Sequence, residues 1–352
     1  MIKKLLGNSL LVVFSLVFSF ALCEIVVRML DLAPEIVYVE KWRVRLSDNP
    51  VIGYEPIPNL NDENLSVRYY GYRGASNNMG YRDYDHNIKK TPGSRRVAVI
   101  GDSVTAGLWV NDDDMIFTRI MEKRLNTMGF QSDVMNFGVS GYNTRQEVET
   151  LKVRGLQYKP DIVVVAYCLN DRWQDDGNIL GLLLEEERKV ADNRSLSRAR
   201  VNPIVKHSAF LRMVTYKVLP ALFTRDTVAP EKSGEAIKQF YRDTVEDAFA
   251  ELSQLSKSHG FEVLLTVFPD FGKQDKGLEG EYVFAEEHKK LAEIAAKNGF
   301  YHFDLLETFR DCKRNMPKGR TISYDRYHPN PVGNRCAGYA IAEKVGSIWS
   351  KN

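Results

Sequence analysis

From Arg96 to the end of the chain, short apolar runs alternate with longer stretches in which apolar residues recur every three or four positions. The runs Val97–Ile100, Asp133–Phe137, Ile162–Tyr167, Val263–Phe268 and Tyr301–Asp304 read as strands buried on both faces. Between them, Phe117–Met128, Arg145–Gln157, Glu235–Lys257 and Val283–Lys297 carry helical spacing, and Val332–Trp349 closes the chain as a last helix. Strands alternating with helices predict an α/β domain, with a parallel sheet of about five strands covered on both faces. Asn111-Asp112-Asp113-Asp114 offers N-cap side chains to the first of these helices.

Two stretches break the rhythm. Arg172 to Gly234 spans about sixty residues where a connection is usually about 2–6 long. An insertion of that size serves either as a lid over a site or as a peripheral cap, with helices expected at Ile179–Glu187 and Ser208–Phe223. Residues 31–94 are rich in Tyr, Asn, Pro and Gly without a clear period and read as short strands and turns. Gly71-Tyr72-Arg73 and Gly80-Tyr81-Arg82 fall there, as surface loops packing on the main domain.

The N-terminus has a pattern of its own. Leu5 to Cys23 is nineteen residues without a charge, long enough for a membrane span of roughly 17–25 residues. Lys3 and Lys4 precede it, so the positive-inside rule puts the N-terminus in the cytoplasm and the remainder outside, in the periplasm if the cell is Gram-negative. A cleaved signal peptide is the alternative, but no Ala-x-Ala site ends the run. The expected division is an anchor over 1–30, an irregular extension over 31–94, and a main domain over 95–350 with the insertion 172–234.

Composition narrows the function classes. In 352 residues, 48 Lys and Arg against 46 Asp and Glu leave no long-range field to hold a polyanion, so nucleic acid is not expected as a partner. Of four cysteines, Cys23 lies in the span and Cys168 in a buried strand, which leaves Cys312 and Cys336 as the pair able to join in an exported chain. Spacing alone does not decide that bond. His86, His207, His259, His288 and His302 stand apart without metal-ligand spacing, so no metal and no cofactor is expected.

In an open parallel sheet, ligands bind at the carboxyl ends of the strands. The first strand ends in Gly101-Asp102-Ser103, the second in Asn136-Phe137-Gly138-Val139-Ser140-Gly141, and the third in Cys168-Leu169-Asn170-Asp171. The loop after the last strand delivers Asp325-Arg326-Tyr327-His328. Those are the parts of acyl transfer. A serine hydroxyl needs an imidazole to take its proton, and the imidazole needs a carboxylate to fix its tautomer. Asp325 and His328, three residues apart, can fold into one turn that does this beside Ser103. The backbone N–H groups of Ser103 and Gly141 and the side-chain amide of Asn170 are candidate oxyanion donors, each worth on the order of 3–4 kcal/mol in a dry site. Asp102 reads as a capping residue, not a base.

With Gly101-Asp102-Ser103-Val104, Gly141, Asn170-Asp171 and Asp325-x-x-His328 in this order, the chain resembles the SGNH hydrolase superfamily, also called GDSL esterases/lipases. The N-terminal span followed by Gly80-Tyr81-Arg82 resembles its membrane-anchored bacterial branch. The resemblance covers roughly 96–350. It implies a flavodoxin-like three-layer αβα sandwich, preceded here by the transmembrane helix, and hydrolysis of carboxylic esters without a metal. Val104 stands in place of the family's Leu, and Cys168 where the third block has Gly. The expected activity is removal of acyl groups from a cell-envelope glycan, a lipid or a small ester. Two alternatives stand beside it. One is an O-acyltransferase of an exopolysaccharide or wall polymer using the same triad; the other is a non-catalytic carbohydrate-binding protein on the same fold.

Overall fold

The valine-rich runs form strands because they are buried from both sides, so that β-branched residues on each face find a packing partner. A computed structural model of the chain describes residues 2–30, 32–33, 43–60, 75–171, 179, 203–218 and 245–351. Its elements, in order, begin with α1 (Ile2–Met29), β1 (Val44–Leu46), β2 (Tyr54–Pro56), β3 (Arg95–Gly101), α2 (Ser103–Ala106) and α3 (Phe117–Thr127). Then come β4 (Ser132–Asn136), α4 (Thr144–Thr150), β5 (Ile162–Cys168), α5 (Pro203–His207), α6 (Ala209–Met213) and α7 (Val245–His259). The chain continues through β6 (Glu262–Phe268), α8 (Ala285–Asn298), β7 (Tyr301–Asp304), α9 (Leu306–Arg314) and α10 (Pro331–Trp349).

Two units separate. The larger comprises residues 40–181 and 236–352. Its sheet is five-stranded and wholly parallel, in the order β4-β3-β5-β6-β7. That order reverses at β3, which leaves a crevice above its carboxyl end. Alternate residues divide the two faces. Val97, Val99, Val164, Ala166, Leu264 and Phe268 pack with α3, α9 and α10. On the other face Tyr167 meets Phe249 of α7 at 6.2 Å between ring centroids. Phe268 lies between Phe117 and Phe309 at 5.5 and 5.9 Å, and each ring so buried contributes roughly 2–3 kcal/mol. Cys312 of α9 and Cys336 of α10 are joined as a disulfide. Cys168 is buried on β5, and burial pushes its thiol well up, as expected of an inert residue.

The smaller unit comprises residues 1–39 and 182–235. Glu24 of α1 caps α6, accepting from Ser208 Oγ at 2.7 Å and from the backbone N–H groups of Ala209 and Phe210 at 2.9 Å. Leu11, Phe14, Leu16, Val17 and Phe18 of α1 are exposed. The span expected at Leu5–Cys23 falls within α1, but among the described residues no helix is long and apolar enough to cross a membrane.

Other local expectations change. Asp112 caps the short 3-10 turn Asp113–Met115 instead of α3, whose own N-cap residue Ile116 makes no side-chain hydrogen bond while Asn334 Oδ1 accepts from the Phe117 N–H at 3.0 Å. The helix expected over Arg145–Gln157 starts with a capping box, Asn143 and Gln146, and then loosens into a π turn at Leu151–Gly155 and a 3-10 turn at Leu156–Tyr158. Of the expected helix Ser208–Phe223, α6 and a π turn at Val214–Val218 are described. Most of Ile179–Glu187, the start of Glu235–Lys257, and Gly71-Tyr72-Arg73 lie outside the described residues.

Candidate active site

The turn that leaves β3 is built by its own sequence. A Cβ at Gly101 would stand 2.1 Å from Thr105 Oγ1, so only glycine lets α2 fold back so tightly on the strand. Asp102, fully buried, caps α2 by accepting from the Val104 N–H at 2.8 Å. Ser103 therefore stands at the first position of α2, 6% exposed, above the strand-order reversal.

His328 arrives from the other end of the chain. Its loop comes after α9, not directly after the last strand. Asp325 Oδ1 accepts from the backbone N–H groups of Tyr327 and His328 at 2.9 Å, closing a tight turn, and the same carboxylate meets His328 Nδ1 at 2.8 and 2.7 Å. A carboxylate only accepts, so Nδ1 carries the proton and Nε2 of the neutral ring is an acceptor. It faces Ser103, whose hydroxyl donates to it at 2.8 Å. Burial pushes the Asp325 carboxyl up, but His328 and the two N–H groups outweigh that, and its pKa lies below the usual carboxylate range. The histidine side chain is 13% exposed and the Asp325 side chain 44%.

Two acidic residues that no sequence motif singled out hold this loop. Asp275, fully buried, accepts from the backbone N–H groups of Ile322 and Ser323, from Ser323 Oγ, and from Lys313 Nζ at 2.8 Å. Asp270, just past β6, accepts from the Arg326 guanidinium at 2.6 Å, while the Phe271 N–H donates to the Arg326 carbonyl at 2.8 Å. Asn330 caps α10 through Val332 and Gly333, and Asn334 Nδ2 donates to the Pro329 carbonyl at 2.7 Å. The loop is thus gripped on both sides. Asp270 was findable by inspecting the carboxyl end of every strand; Asp275 sits in a turn with no pattern to flag it.

Gly141 lies after β4 at φ +79°, and a Cβ there would stand 2.7 Å from Ile179 Cδ1 and 2.9 Å from Tyr54 Oη. Asn170 occupies a 3-10 turn after β5, and one N–H of its amide donates to Asp102 Oδ2 at 3.1 Å. Asp102 thereby links the Ser103 and Asn170 turns. Beyond it lie two further buried carboxyls, Glu147 on α4 and Asp171, whose Oδ2 accepts from Thr144 Oγ1 at 3.3 Å. Burial pushes Asp102 up; burial and the Asp102 charge push Glu147 well up, and burial with the Glu147 and Asp102 charges does the same to Asp171. Beside Asp325 opens a cleft of about 470 Å³, lined among the described residues by Trp109, Asn111, Tyr324 and Asp325. Among the described residues no group of three or more His, Cys, Asp and Glu side chains is placed to hold a metal ion.

The family model described as GDSL-like Lipase/Acylhydrolase matches residues 99–336. No curated protein matches the sequence. Solved structures similar to this one include an acetyl xylan esterase at 19% identity, covering 72% of this chain and 98% of that chain with a TM-score of 0.41. A catalytic mutant of an acetylxylan esterase from Geobacillus stearothermophilus is similar at 14% identity over 73% of this chain and 97% of its own, TM-score 0.43. A two-domain esterase active on acetylated mannans is similar at 12% identity over 72% of this chain and 50% of its own, TM-score 0.43.

Proposed function

Since the chain belongs to the GDSL-like lipase/acylhydrolase family and is a serine hydrolase of esters, we propose that Ser103 is its nucleophile, His328 its general base and Asp325 the residue that orients the imidazole. The observation that carries this reading is the Ser103 hydroxyl donating to His328 Nε2 at 2.8 Å, with Asp325 on Nδ1. In the first step Ser103 Oγ attacks the ester carbonyl as its proton passes to Nε2, and the imidazolium then protonates the departing alcohol. Water, activated by the same nitrogen, releases the acid and restores the serine. Negative charge on the tetrahedral oxygen is met by the N–H groups of Ser103 and Gly141 and by the second N–H of the Asn170 amide. Asp102 holds that amide in place.

The substrates are carboxylic esters, with O-acyl groups of cell-envelope glycans as the physiological target. The half-exposed Asp325 and the open cleft beside it favour water as the acyl acceptor. We assign α1 to membrane attachment, with the catalytic unit on the outer side. The uncharged run Leu5–Cys23, the preceding Lys3 and Lys4 and the exposed Phe14 and Phe18 support this.

The test is a fluorophosphonate probe and p-nitrophenyl acetate applied to the full chain and to Ser103→Ala. The wild type labels and turns over; the variant does neither. Labelling that survives in Ser103→Ala would put the nucleophile elsewhere. Mass spectrometry of envelope polymers from cells carrying each version separates the acceptors: acetyl mass gained in the variant indicates a hydrolase, and acetyl mass lost a transferase.

A further inference from the structure

Trp109 has a backbone that its side chain does not favour. Its φ is +70°, a left-handed conformation that strains a bulky residue. The surrounding residues hold it there. Leu108 and Val110 on either side are buried, the Leu108 N–H donates to the Ser103 carbonyl at 3.0 Å, and the Val110 N–H donates to the Gly107 carbonyl at 3.1 Å. The buried Arg82 guanidinium then straddles the residue. Its Nη1 donates to the Gly107 carbonyl at 2.8 Å, its Nη2 to the Val110 carbonyl at 2.5 Å, and its Nε to Asp113 at 2.6 Å. One buried guanidinium, paired with Asp113, thus ties down a carbonyl on each side of the strained aromatic and fixes the turn that presents it.

That anchoring leaves the half-buried Trp109 as a wall of the open cleft beside Asp325, with Tyr324, 47% exposed, as another aromatic and Asn111 as an amide in the same lining. We propose that Trp109 and Tyr324 form a subsite for a pyranose ring of the acylated substrate. The ring's C–H face lies on the indole, and its hydroxyls reach Asn111. An acyl chain would call for an enclosed apolar tunnel; this cleft is open, its two aromatics stand beside one amide, and a member of the proposed triad forms part of its wall. Gly80-Tyr81-Arg82, whose arginine fixes the Trp109 turn, then acts on substrate choice through Trp109. This assignment rests on the ester-hydrolase reading and names the substrate class of the same site.

The experiment measures inhibition of p-nitrophenyl acetate hydrolysis by xylopentaose, mannopentaose and chitopentaose, each Ki read against the turnover of the same variant. At least one sugar inhibits the wild-type chain competitively. Trp109→Gly removes the ring at a backbone conformation that glycine accepts, and raises that Ki at least tenfold; Trp109→Phe keeps it within about threefold. The subsite is refuted if no sugar inhibits a wild-type chain that turns over the ester, or if Trp109→Gly leaves Ki unchanged. It is equally refuted if decanoate, and no sugar, competes and loses potency in Trp109→Gly. Absence of any turnover or fluorophosphonate labelling in the wild type would instead overturn the hydrolase reading itself.

Discussion

The Ser103 hydroxyl and the His328 imidazole meet at 2.8 Å across 225 residues of sequence, and the ring is aimed by a carboxylate only three residues before it. The aim depends on charge as well as contact, because an amide at 325 can present N–H to Nδ1 and favour the other tautomer. Asp325→Asn is therefore expected to lower kcat by about 10³–10⁴, with KM for p-nitrophenyl acetate little changed. Steady-state kinetics checks this, and a loss confined to KM would count against the orienting role.

One N–H of the Asn170 amide donates to Asp102, and the proposed mechanism gives the other to the oxyanion. Asn170→Ala should lower kcat by about 10²–10³, the usual consequence of losing one oxyanion donor. Asn170→Asp, which keeps the size and brings charge next to Asp102, should lose at least as much. An effect on binding alone would assign Asn170 to substrate contact instead.

Glu147 gives the site a pH-dependent neighbour. Its folded pKa is raised by burial and by Asp102, so the native state keeps a proton that the unfolded chain releases above the ordinary carboxyl value. Stability therefore declines as pH rises from that value toward the folded pKa. Gln cannot release this proton. Glu147→Gln should melt above wild type at pH 8, with the gap closing toward pH 4.5; equal midpoints at pH 8 would show that the carboxyl finds compensation in the fold.

His86 works with the same sign from the opposite charge type. Burial lowers its pKa, but hydrogen bonds to Asp133 at 2.6 Å and Asp83 at 2.8 Å outweigh burial and raise it to about 9. Arg96 and Arg119 share those carboxylates, and the Tyr84 ring lies against the imidazole. The stabilisation is fully present below the unfolded value of about 6.5 and is lost as pH rises through about 9, on the order of 3 kcal/mol. Urea unfolding at pH 6, 7.5 and 9 reads it, and His86→Gln should flatten the slope.

The middle of the sheet was legible because β3, β5 and β6 are Val-rich runs, and a strand buried on both faces has little else it can become; the edge strands β4 and β7 have few or no β-branched residues and are partly exposed. The helix α9 was not. It begins two residues after β7 and spans nine residues, of which only Phe309 and Cys312 are buried, too short a stripe to register as a period. The loosening of 151–158 is likewise invisible in composition. At the site, reading the residues at the carboxyl end of each strand brings Ser103, Gly141 and Asn170 to one rim, and the Asp325-x-x-His328 spacing announces its own turn. Trp109 and Asp275 leave no such trace, since a left-handed aromatic and a buried acceptor of backbone N–H groups are properties of tertiary surroundings.

The bond between Cys312 and Cys336 reaches beyond packing. It staples α9 to the helix that begins just after His328, so the segment bearing the imidazole is moored on its downstream side by a link that a glutathione-buffered cytosol would keep open. Protein made in a reducing host would carry two thiols there, and its catalytic competence would become a reporter of the oxidative history of the chain.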